Sequence, residues 1–131
     1  IGSSIMFKKH LIEDSGDYSD HFDRIGSEDV DLVYRMILKG AKFTNLELPL
    51  YYYRMTLGSL SRNSVDKNKM RFVSNELASK LYFLRKSGVQ ITDSIVKKEK
   101  NILLSDELHI NEVIAINQFS LSLLTNENKI N

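Results

Sequence analysis

The sequence predicts an α+β fold. Short strands and an acidic-start helix fill the first part, to about residue 63, and a mainly helical part follows. Three observations predict it. The short apolar runs Ile5–Phe7, Lys42–Leu46 and Leu50–Arg54 have strand length and are bounded by turn formers or polar residues. In GSEDVDLVYRMILKG, Val30, Val33, Tyr34 and Ile37 fall at i, i+3, i+4 and i+7, the stripe of an amphipathic helix. Beyond residue 64 the helical period dominates, beginning with Met70, Val73, Leu77, Leu81 and Leu84.

Taken in order, the strand Ile5–Phe7 leads into a short helix, Lys8–Ser15, closed by Gly16. Asp17–Gly26 is a polar, acidic loop. Ser27 stands as N-cap of the next helix, Glu28, Asp29 and Asp31 favour its first turn, and Gly40 stops it. Pro49 divides the following apolar region into two strands, Lys42–Leu46 and Leu50–Arg54. TLGSLSRN, around Gly58, is a turn or loop. A long helix ends at Gly88, and a second runs from Thr92 or Asp93 to about Leu104. The third follows Ser105 and Asp106 and carries Val113, Ile114, Ile116, Phe119, Leu121 and Leu124. The polar tail TNENKIN is expected to fray.

A chain of 131 residues suits one domain and buries roughly two-thirds of its unfolded surface. Its net charge of +1 creates no global field for nucleic acid or a membrane. The charge is uneven, however. Glu13 to Asp31 holds eight acids and one Arg, whereas Arg54 to Lys100 holds eleven Lys or Arg and four acids. Such blocks read either as two solvated faces or as an acidic loop opposed to a phosphate-binding segment. Cysteine is absent, which excludes disulfides, thiolate metal sites and a Cys nucleophile. No apolar run approaches the roughly 20 residues of a membrane span, and no signal-peptide pattern opens the chain. The abrupt start, IGSSIMF, reads as a piece of a longer polypeptide.

Familiar catalytic spacings are missing. His10, His21 and His109 have no metal-ligand spacing; His21, near Asp20 and Asp23, reads as a solvated loop histidine. The sequence has no G-x-S-x-G elbow, P-loop or G-x-G-x-x-G. Tyr82 and Phe83 among basic residues fit a wet helix face better than a base-stacking platform.

The order of pieces over residues 1 to 63 is more specific. SSIMFKKHLIEDSGDYSDHF, then SEDVDLVYRMILKGAKF, then LELPLYYYRMTLGSLSR resembles the C-terminal half of the catalytic domain in inverting family 2 glycosyltransferases of GT-A fold. The resemblance implies that residues 1–63 are the acceptor-side part of such a domain and 64–131 a helical extension. It assigns Asp29, in the Glu-Asp pair, as general base on an acceptor hydroxyl. It assigns Glu28 to orienting the loop or to acceptor binding, and Arg54, Ser59 and Ser61 to the donor diphosphate, where Arg suits bidentate hydrogen bonding. Tyr51, Tyr52 and Tyr53 become core and acceptor-side wall. Asp31 points about 200° from Asp29 around the helix and reads as a solvated cap.

Two departures stand beside the resemblance. Thr56 occupies the loop where many relatives carry His, and no Asp-x-Asp follows a strand, because Asp29-Val30-Asp31 lies on the base-bearing helix. The expected Mg2+ or Mn2+ would then be held mostly by residues outside this chain. The isolated piece is expected to be inactive, and its exposed strand edges favour a homo-oligomer. The intact parent would be cytoplasmic, or peripheral at the inner membrane face. It would transfer sugar from a nucleotide-sugar to a glycan, in bacterial surface-polysaccharide synthesis. The alternative reading is a non-enzymatic helical protein-interaction module, in which Asp29 and Arg54 are structural.

Overall fold

A computed structural model describes residues 4–52 and 65–116. The described elements are α1 (Lys9–Ser15), a 3-10 turn (Asp20–Phe22), α2 (Glu28–Leu38), α3 (Val65–Lys86), α4 (Asp93–Ser105) and α5 (residues 107–116). None of the described residues forms a strand, so the α+β expectation is corrected to an all-helical one.

The reason is that a strand is a pairing state. Residues 5–7, 42–46 and 50–52 have the composition of strands, yet among the described residues no second strand lies beside them to complete a ladder. Ile5–Phe7 even keeps the strand alternation, with Met6 88% exposed between half-buried neighbours. Pro49 carries no N–H, and the Leu50 N–H folds back to the Leu48 carbonyl at 2.9 Å, closing a three-residue turn around it. Tyr51 is half-exposed and Tyr52 fully exposed, so neither belongs to the core as expected. Tyr53, Arg54 and the loop TLGSLSRN lie outside the described residues, as do Phe119, Leu121, Leu124 and the tail.

The helices follow the sequence signals closely. Gly40 ends α2 with φ of 86°. Its N–H reaches the Ile37 carbonyl and that of Ala41 reaches Met36, the paired bonds of a Schellman stop. The same pair ends α3, from Gly88 to Arg85 and from Val89 to Leu84. In α3, Val73, Leu77 and Leu81 are fully buried, as the stripe predicts.

One core results. Val73, Leu77, Ala78 and Leu81 of α3 meet Phe22 of the 3-10 turn, Val96 and Leu103 of α4, and Ile110 of α5. Val30 and Tyr34 of α2 pack against this cluster. The opposite face of α2 is buried as well, through Leu32 and Met36, while Ile37 is exposed. Val30 and Leu32 stand about 200° apart at roughly 100° per residue. The stripe read from sequence therefore captures one of two buried faces. α2 lies between α1 and α3, and a helix packed on both sides loses a simple amphipathic pattern. Among the described residues no helix is long and apolar enough to cross a membrane.

Candidate functional site

The acidic start of α2 is reached through an unusual turn. Arg24, Gly26 and Ser27 all have positive φ, at 59°, 85° and 70°. Left-handed backbone costs a non-glycine residue roughly 1–2 kcal/mol, so the surrounding structure must hold Arg24 and Ser27 there. For Ser27 the holding groups are visible. Its hydroxyl donates to Asn75 Oδ1 and lies 2.8 Å from Ser74 Oγ, both on α3. Ser27 thus occupies the N-cap position without capping; its side chain makes no hydrogen bond to the helix N-terminus. The capping role expected from sequence is replaced by a tether between helices.

The three carboxylates separate into three environments. Glu28 is exposed. Asp29 is half-buried, and its Oδ1 accepts the Val30 N–H at 2.8 Å. Asp31 is completely buried. It accepts Arg35 Nε at 2.9 Å on Oδ2 and Arg85 Nη1 at 2.7 Å on Oδ1. The expectation of a solvated cap at Asp31 is therefore corrected. The rotation away from Asp29 holds, but that side of α2 faces the molecule's interior, where α3 brings in Arg85.

Arg35 extends this network. Nη1 donates to the Ser15 and Gly16 carbonyls, and Nη2 to the Asp17 carbonyl at 2.8 Å. It satisfies carbonyls at the end of α1 that have no helical partner. One guanidinium thus joins the end of α1, the entry to the acidic loop and the buried carboxylate of α2. Burying a carboxylate is costly unless it is paired and hydrogen-bonded, and here both oxygens are engaged by charged donors.

The sequence reading overlooked Arg35, Arg85, Ser74 and Asn75. The Asp31–Arg35 spacing of i, i+4 was available as a signal. Arg85 is 54 residues from Asp31 and had none.

A cleft of about 460 Å3 lies beside the network, with Ser19, His21, Arg35, Arg85 and Gln90 in its walls. Neither Glu28 nor Asp29 lines it. His21 Nε2 stands 3.7 Å from the exposed Asp93 carboxylate. Among the described residues, no three His, Asp or Glu side chains gather in a way that could hold a metal ion. The expected diphosphate ligands Arg54, Ser59 and Ser61 lie outside the described residues. No protein-family model, curated protein or solved structure matches the chain.

Proposed function

We propose that the chain is the acceptor-side part of an inverting, nucleotide-sugar-dependent glycosyltransferase, with Asp29 as general base. The observation that carries this reading is the division among the three carboxylates. Asp31 is sealed between two arginines and Glu28 is exposed, while Asp29 sits half-buried just after a strained turn. Strained, over-determined backbone is where functional groups are commonly placed. A helix start holds a carboxylate rigidly and favours its charged form.

In this reading the Asp29 carboxylate takes the proton of an acceptor hydroxyl as that oxygen attacks the anomeric carbon. The new C–O bond forms on the face opposite the donor linkage. The bond to the nucleoside diphosphate breaks, and its electron pair leaves with the diphosphate. Attack opposite the leaving group inverts the centre, as in inverting glycoside hydrolysis. Glu28, one residue earlier and exposed, binds acceptor hydroxyls. Arg54, with Ser59 and Ser61, holds the departing diphosphate. A divalent metal in the intact parent would offset charge on that leaving group.

The all-helical core favours a second reading, a helical interaction module in which the carboxylates only start α2. Nucleotide release separates the two. The intact parent is incubated with sugar nucleotides and acceptor extract, with and without Asp29→Asn. The transferase reading expects release with one donor and its loss in the variant, with donor affinity kept. Equal release from both proteins would reject Asp29 as the base.

A further inference from the structure

We propose that α3 is a positioning element for Asp29, gripping the helix start on both sides of it through Ser74 and Asn75 at one end and Arg85 at the other. This rests on the reading of Asp29 as base. The geometry points to it in two ways. Ser27, two residues before Asp29, is held in left-handed backbone with its hydroxyl bonded to Asn75 and beside Ser74. Asp31, two residues after, is fully buried and bonded at 2.7 Å to Arg85. The Asp31 N–H also bonds the Ser27 carbonyl, so residues 27 to 31 form one closed turn. Both attachments come from α3, and Leu77 and Leu81, fully buried between them in sequence, pin the helix to the core. Neither end of the turn can shift without breaking a bond to α3.

The arrangement also joins Asp29 to the acidic loop. Arg85 and Arg35 share the Asp31 carboxylate, and Arg35 holds the carbonyls of residues 15 to 17. The helical extension is then part of the catalytic framework, and Arg85 is a positioning residue that touches no reacting atom.

The test uses the intact parent with Arg85→Gln, Arg85→Lys and Asn75→Ala, beside Asp29→Asn. Asn75 is exposed, so its replacement spares the core. Circular dichroism first fixes a temperature at which every variant is folded. A displacement of the base by about 1 Å is expected to cost on the order of 10²-fold in rate. Arg85→Gln should therefore lose about that much kcat with the donor KM unchanged, and Asn75→Ala should lose kcat in the same pattern. Arg85→Lys should recover part of the loss, because Arg85 gives Asp31 a single N–H that an ammonium can supply. Amide exchange at residues 28–31 should quicken in Arg85→Gln and return toward the parent rate in Arg85→Lys. If Asp29→Asn abolishes turnover while folded Arg85→Gln and Asn75→Ala keep normal kcat, the positioning role is overturned and the base survives. Where Arg85→Gln does not fold, Asn75→Ala and Arg85→Lys decide, and normal kcat in both overturns the role. If Asp29→Asn turns over normally, the base reading fails and the positioning role falls with it.

Discussion

Asp29 and Asp31 sit two residues apart on one helix, and their surroundings demand opposite consequences on substitution. Asp31 is buried and shared by two guanidiniums, whose side chains are 14% and 18% exposed. Breaking such a pair strands buried charge, typically at about 3–5 kcal/mol. Asp31→Asn should therefore lower unfolding free energy by about 3 kcal/mol or more. In Asp29→Asn the amide oxygen can still accept the Val30 N–H, and the half-buried site strands no guanidinium of the Asp31 network, so the loss should be smaller than for Asp31→Asn. Urea unfolding of the two variants checks this ordering; equal losses would mean that the Asp31 network contributes little. Gly16 offers a second residue-level test. Its φ is 75°, and an added Cβ would stand 3.3 Å from Arg35 Nη1. With ψ of 159° this is an essentially glycine-only conformation, so Gly16→Ala should cost about 1–3 kcal/mol from the backbone alone. It should cost less when Arg35 is already replaced, since the crowding then disappears; additive losses in a double-mutant cycle would argue against the contact.

At the scale of elements, α3 is fastened to α5 by Lys69 and Glu107, 2.9 Å apart. The hydrogen bond from Lys69, with its charge, holds the Glu107 carboxyl below its ordinary 4.5. A depressed folded value means that the pair's contribution is present above about pH 4.5 and lost as pH falls through the folded value. NMR titration should place the Glu107 midpoint below 4.5, and Lys69→Ala should return it to the ordinary range. An unchanged midpoint in that variant would remove Lys69 as the cause. The helix ends were legible in sequence because their causes are local: Gly16, Gly40 and Gly88 stop helices within one turn. The strands were misread because pairing is not local. Lys42–Leu46 has the residue types of a strand, but a ladder needs a neighbour that those residues do not encode. The site divides in the same way. The acidic start at Glu28, Asp29 and Asp31 was legible, whereas the burial of Asp31 depends on Arg85, far along the chain.

For the whole molecule, the decisive property is that the 3-10 turn and α2 share a core with the helices after residue 64. Phe22, Val30 and Tyr34 pack against Val73, Leu77, Ala78 and Leu81. Ser27 and Asp31 are also bonded to α3. α2 has 11 residues, below the roughly 12–15 at which an isolated helix becomes marginal in water. Its stability must therefore come from packing. Each large apolar side chain that leaves the core gives up about 1.5–3 kcal/mol of burial, and three such residues together approach the whole stability of a small domain. A chain ending at residue 63 should accordingly lack the α2 helix. It should show little helical signal in far-ultraviolet circular dichroism and no cooperative urea transition. It should also associate, because Leu46, Leu48, Leu50 and Tyr52 are already exposed in the longer chain and the uncovered face of α2 would join them. The complementary piece from residue 64 keeps α3, α4 and α5 with Val73, Leu77, Leu81, Val96, Leu103 and Ile110 in contact, and should retain most of its helix. A cooperative transition in the 63-residue piece would show that α2 folds without α3, and the dependence of the acidic turn on the helical extension would be lost with it.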